Sequence, residues 1–239
     1  MRILVMNVNT SKSMTDLIAK SARLAAHPST EIVAIEPTWG PASVEGYYDS
    51  FISASAILAR LSTYNEPYDA LVWAGFGEHG FQGAQEFLSV PVIDISHAAA
   101  HIACLVGRRF GIVTTLNRSR ALIEESLNVA GLMGRCASIR ATGLGVLELE
   151  ANPVETKERF VLEALKCIES GADVIVLGCA GMAGLERYIS AELGIPVIDG
   201  VASAVKLAES CVNLGLRTSK IGVLAVPEIK NRIGWPPIL

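Results

Sequence analysis

The chain has 239 residues, 51% of them hydrophobic and 18% charged, with 20 Lys and Arg against 24 Asp and Glu for a formal net charge of −4. That balance is too apolar for a disordered chain, and it offers no basic patch to a phosphate backbone, so no nucleic-acid partner is expected. The longest apolar runs are strand length, far short of the roughly 20 residues a bilayer needs, so no membrane association is expected either. The opening Arg2-Ile-Leu-Val-Met reads as a strand rather than a signal peptide. Five cysteines, Cys104, Cys136, Cys167, Cys179 and Cys211, form no CxxC pair. An odd number in apolar surroundings suits the reduced thiols of a cytoplasmic protein.

In chain order, short apolar runs predict strands over 3–8, 31–35, 70–74, 92–93, 109–114, 137–141, 174–178, 197–198 and 220–225. Helical periodicity predicts helices over 13–26, 48–62, 97–108, 119–131, 153–170, 182–193 and 201–214. Strands that alternate with helices of this length imply parallel sheets wrapped by helices.

The chain also repeats itself. Arg2-Ile-Leu-Val-Met-Asn-Val-Asn-Thr resembles Arg109-Phe-Gly-Ile-Val-Thr-Thr-Leu-Asn, and Val72-Trp-Ala-Gly with its later Val-Pro-Val-Ile-Asp resembles Val176-Leu-Gly-Cys with its Ile-Pro-Val-Ile-Asp. The expected architecture is α/β with two pseudo-symmetric lobes: 1–105 plus a returning 206–239, and 106–205. Ligands of such sheets bind at the carboxyl ends of the strands. Four strand ends, at 7–11, 75–80, 114–117 and 179–182, would meet in the cleft between the lobes.

Asn7-Val-Asn-Thr-Ser, Pro41-x-Ser-Val-Glu-Gly, the Phe-Gly-x-x-Gly loop after Ala74, Phe110-x-Ile-Val-Thr-Thr-Leu, Val176-Leu-Gly-Cys-Ala-Gly-Met and Pro196-Val-Ile-Asp-Gly-Val carry a resemblance that runs nearly end to end. They resemble the aspartate/glutamate/hydantoin racemase superfamily, most closely its hydantoin and allantoin racemase branch. The resemblance implies two α/β lobes with the site between them, and a homo-oligomer acting on a small-molecule substrate. It also implies two cysteines, one per lobe, that remove and return the proton next to a carbonyl. The second lobe keeps its cysteine, Cys179. In the first lobe the family's Cys-Phe-Gly-Asp-Pro-Gly reads Gly75-Phe-Gly-Glu-His-Gly, and Val8 stands where proline is usual. Glycine moves no proton, so two-cysteine racemisation is excluded.

The candidate catalytic residues are therefore Cys179, Glu78 and His79. Cys179 precedes a helical pattern whose N–H groups would favour a thiolate. Asn9, Thr10, Ser11, Gly75, Phe76, Thr114, Thr115, Ala180 and Gly181 are the candidate substrate contacts. The alternative for Thr10 and Ser11 is helix capping. Trp39 and Tyr47 could wall the pocket, His101 reads as structural, and His27 as a surface residue.

Two chemistries compete. His79, His97, Cys179 and Glu78 could bind a divalent metal, Zn2+ above all, and hydrolyse a hydantoin or thiohydantoin ring with an activated water. This is the expectation carried forward, with no organic cofactor. The alternative is metal-free: a one-cysteine decarboxylase, or a racemase or epimerase with a first base other than cysteine. A ligand sensor built on an inactive cleft is a third, weaker reading.

Overall fold

The computed structural model of the chain describes residues 1–234. Two four-stranded parallel sheets form its frame. The first has the order β2-β1-β3-β4, from β1 (Arg2–Asn7), β2 (Glu31–Ile35), β3 (Ala70–Ala74) and β4 (Val92–Asp94). The second repeats that order as β6-β5-β7-β8, from β5 (Phe110–Thr114), β6 (Cys136–Ala141), β7 (Val174–Leu177) and β8 (Val197–Ile198). The chain is thus α/β with two lobes of like topology, as the internal repeat implies.

The helices are α1 (Lys12–Ala25), α2 (Tyr47–Ser62), α3 (Phe81–Phe87), α4 (Ile95–Val106), α5 (Arg120–Val129), α6 (Glu148–Ala151), α7 (Pro153–Glu169), α8 (Glu186–Leu193) and α9 (Gly200–Asn213). The central strands β1, β3, β5 and β7 are continuous apolar runs because helices cover both faces of each sheet. In the first lobe Ile3, Val5, Ala70 and Val72 face α1 and α9, while Leu4, Met6, Leu71 and Trp73 face α2 and α3. The period-two alternation of a strand divides these neighbours between the two layers. Helix α4 is apolar nearly all round because it is shared. Ile95 and Ala98 join the first-lobe core, while Ala99, Ala100 and Ala103 pack under Phe110, Ile112, Val174 and Val176 of the second.

Two predicted elements differ. The 182–193 pattern breaks into a 3-10 turn, Ala180–Met182, and α8, because Gly184 between them sits at φ +90°. The 220–225 run forms no strand. Thr218 N–H donates to Ser89 O, and Lys220 Nζ donates to the carbonyls of Gln85 and Glu86, which fastens the tail along the first lobe. Among the described residues no helix is long and apolar enough to cross a membrane.

Candidate active site

The carboxyl ends of β1, β3, β5 and β7 face one another across a small cavity of about 40 Å³. Asn7, Val8 and Asn9 line it from β1, Gly75, Phe76 and His79 from the β3 loop, Thr114 and Thr115 from β5, and Cys179, Ala180 and Gly181 from the β7 loop. Val44, Leu122 and Val146 add an apolar wall. None of the lining residues is Asp, Glu, Lys or Arg, so Cys179 and His79 are the ionisable groups at hand.

Cys179 opens the 3-10 turn, and its Sγ accepts the Gly181 N–H at 3.4 Å. A three-residue turn carries little dipole, and burial dominates: it pushes the thiol up to about 11, with the Glu45 carboxylate adding to the rise. The expectation of a favoured thiolate is therefore reversed; the group rests as a thiol.

His79 is 4% exposed and lies at φ 148°, a backbone conformation unusual for a residue with a side chain. Its Nδ1 meets Ser50 Oγ at 2.9 Å and its Nε2 meets Phe76 O at 3.2 Å. Burial lowers its pKa to about 4, against the raising effect of the Phe76 carbonyl. A Cβ built on Gly75 would lie 2.8 Å from His79 Cδ2 and 2.4 Å from Val8 Cγ1. The imidazole and Val8 thus occupy the room that a side chain at position 75 would need.

Hydrogen-bond accounting identifies the free donors. Asn9 Oδ1 accepts from Asn7 Nδ2 and from the Ser11 N–H, which fixes the orientation of the amide and turns its NH2 group away from those partners. Thr114 Oγ1 is committed to Gly178 O at 3.0 Å. The Asn9 amide and the Thr115 hydroxyl therefore remain available to a ligand.

Other expected site residues lie elsewhere. Thr10 binds Pro41 O through its N–H and hydroxyl, and Ser11 caps α1 by accepting from Met14 N–H; neither lines the cavity. Trp39 and Tyr47 are 48% and 38% exposed and do not wall it either. The Tyr47 hydroxyl donates to Glu125. Val146 N–H donates to Glu45 Oε1 and Ser119 Oγ to Glu45 O, so the 41–47 segment bridges both lobes beside the cavity. Its Val44 lies within the Pro41-x-Ser-Val-Glu-Gly motif but is not among the expected site residues, while Ser119 and Val146 carry no motif by which sequence reasoning could have found them.

The proposed zinc set does not assemble. Glu78 folds back onto the N–H of Gly80, with its two oxygens at 3.2 and 3.1 Å. His97 points to α5, where Ser126 O and Oγ lie at 3.1 Å from Nε2 and Phe81 packs edge-on against the ring. Neither residue lines the cavity beside His79 and Cys179. Among the described residues no three His, Cys, Asp or Glu side chains gather to hold a metal ion.

The two-lobed parallel α/β frame, with Cys179 and His79 reaching one cavity from equivalent loops, can be set beside known proteins. A model described as Asp/Glu/hydantoin racemase matches residues 3–208, and the chain belongs to that family. It is 40% identical to the hydantoin racemase of Rhizobium meliloti over 98% of both chains. The crystal structure of allantoin racemase from Pseudomonas fluorescens superposes with a TM-score of 0.96 at 52% identity, covering 98% of this chain and 100% of that one. Allantoin racemase from Klebsiella pneumoniae gives 0.93 at 43% identity, covering 98% and 96%. These relatives are named racemases, and they overturn the expectation of metal-assisted hydrolysis.

Proposed function

We propose that this protein is a racemase of hydantoin-type rings that moves the proton on the ring carbon beside a carbonyl, with Cys179 serving one face and His79 the other. One observation carries this reading. The two ionisable side chains of the cavity come from equivalent loops of the repeat, and the imidazole fills the space left by Gly75. The relatives named for hydantoin and allantoin support the ring class. A cavity without a charged wall supports it too, since a neutral cyclic amide needs no guanidinium or ammonium partner.

The step balances without a cofactor. Neutral His79 takes the ring-carbon proton, and the C–H electron pair moves into an enolate on the adjacent carbonyl. The Cys179 thiol then returns a proton to the opposite face, leaving an imidazolium and a thiolate. The reverse sequence acts on the other enantiomer. In this reading the Asn9 amide and the Thr115 hydroxyl donate to the developing oxyanion.

The test is loss of optical rotation, with solvent deuterium entering the ring carbon, for 5-alkyl hydantoins and for allantoin. Cys179→Ala abolishes the loss of optical rotation while leaving deuterium exchange at the face served by His79, and His79→Asn lowers racemisation by about 10²–10⁴, the usual worth of a positioned acid or base. Full racemisation by His79→Asn, or no exchange of either ring by the parent, would overturn the proposal.

A further inference from the structure

Ser50 belongs to α2, 29 residues before His79 in sequence, and is 2% exposed. Among the described residues its hydroxyl has one hydrogen-bond partner, His79 Nδ1 at 2.9 Å. The other ring nitrogen fixes the direction of that bond. A carbonyl only accepts, so the 3.2 Å contact of Nε2 with Phe76 O puts the hydrogen on Nε2. Nδ1 is then bare, and the Ser50 hydroxyl donates to it.

In this resting tautomer the basic lone pair faces Ser50. A proton can be taken from a substrate at Nε2 only if Nε2 is bare and Nδ1 carries the hydrogen. A serine hydroxyl both donates and accepts, so it can satisfy Nδ1 in either form. An aliphatic residue would satisfy neither, at a site where an unpaired polar atom has no water to turn to. The strained backbone at φ 148° adds a need for an external hold on the ring.

We propose that Ser50 is the positioning residue of His79: it seats the imidazole beside Gly75 and lets it exchange a resting Nε2–H tautomer, held by Phe76 O, for a working Nδ1–H tautomer held by Ser50 Oγ. This rests on the reading of His79 as the second acid–base group. Ser50 touches no reacting atom and acts through the ring.

The experiment combines 15N NMR of the labelled imidazole with racemisation kinetics on a 5-alkyl hydantoin. The parent shows His79 as the Nε2–H form with a hydrogen-bonded bare Nδ1. Ser50→Ala keeps the Nε2–H form, still held by Phe76 O, but strips Nδ1 of its hydrogen bond, which moves the Nδ1 resonance. It lowers kcat about tenfold, the worth of one hydrogen bond, with KM unchanged. Ser50→Thr restores both readings. Ser50→Cys, close in size and a poor hydrogen-bonder, follows Ser50→Ala and guards against a folding defect. An Nδ1–H resting form in the parent, or an unchanged Nδ1 resonance and kcat in both Ser50→Ala and Ser50→Cys, overturns the proposal. His79→Asn separates the two ideas: if it racemises fully, the second-base reading falls. If it is inactive while Ser50→Ala is fully active, only the role of Ser50 falls.

Discussion

Placing a second thiol in the cavity by Gly75→Cys is expected to destabilise the protein without creating a two-thiol racemase. The new Cβ would lie 2.4 Å from Val8 Cγ1, 2.8 Å from His79 Cδ2 and 3.0 Å from Val8 Cγ2. Gly75 is not among the glycines at positive φ, so the penalty comes from packing and not from the backbone. Overpacking of this kind costs about 1–3 kcal/mol, or roughly 2–12 °C in Tm for a domain of this size. Val8→Ala removes two of the three close atoms. The double variant should therefore be more stable than the sum of the single changes, by a coupling of about 1–2 kcal/mol. Denaturant melts of the parent, both single variants and the double variant measure it. Racemisation by Gly75→Cys should stay at or below the parent rate, because its thiol would be wedged against the imidazole. Additivity within about 0.5 kcal/mol, or a gain in rate, would refute the view that Val8 and His79 occupy the space of the missing side chain.

The acid–base pair also predicts the pH profile of racemisation. Neutral His79 is lost as pH falls through about 4, and the Cys179 thiol is lost as pH rises through about 11, so kcat/KM should be level between. Measured on an N3-methyl hydantoin, which removes the substrate's own imide titration, a tenfold rise per pH unit across 7–9 would instead mark a thiolate as the working base. Stability should carry two opposed slopes. The folded pKa of His79, about 4 against an ordinary 6.5, gives stability that is complete above 6.5 and lost as pH falls toward 4. The buried Asp94 carboxyl, raised by burial to about 7 from 3.8, gives stability that is complete below 3.8 and lost as pH rises to 7. The two cancel over their shared window. His79→Gln should thus lose up to about 4 kcal/mol between pH 4 and 7, and Asp94→Asn should gain about 3 kcal/mol over the same range. Parallel pH–stability curves for parent and variants would reject this balance.

The lobes were legible because a parallel sheet writes itself as buried strand runs, and the repeat of those runs located four strand ends. Cys179, His79 and Asn9 follow from that placement. Misplaced residues share a cause: proximity in sequence says little about direction. Asp94 caps α4 by accepting from the N–H groups of Ser96 and His97, and the helical phase this sets turns the His97 ring onto α5, away from the cavity. Glu78 lies one residue from His79, yet its carboxylate is spent within its own loop. Ser50 was invisible for the converse reason, since a serine inside a helical pattern gives no sign of a partner 29 positions away. The apolar 220–225 run reads as a strand by composition, but Thr218 and Lys220 are tied to carbonyls of Ser89, Gln85 and Glu86 rather than to a strand, and the run itself winds into a 3-10 turn, Gly222–Leu224.

The two equivalent loops are secured in different ways. In the second lobe Gly184 N–H donates to Asp199 Oδ2 at 3.2 Å, so the aspartate that caps α9 also secures the loop of Cys179. In the first lobe the corresponding N–H, that of Gly80, is taken by Glu78, and the corresponding aspartate, Asp94, is left with a buried Oδ2 that has no partner among the described residues. A buried carboxylate oxygen without a donor is costly, which is why burial drives the Asp94 carboxyl toward its neutral form. Residues 75, 78 and 79 therefore act together. Gly75 opens room, Glu78 holds the loop by a bond that elsewhere belongs to the capping aspartate, and the loop so held presents His79 at a φ that only such over-determination sustains. The space beside Gly75 is thereby filled by an ionisable ring, tied at both nitrogens and facing the same cavity as Cys179.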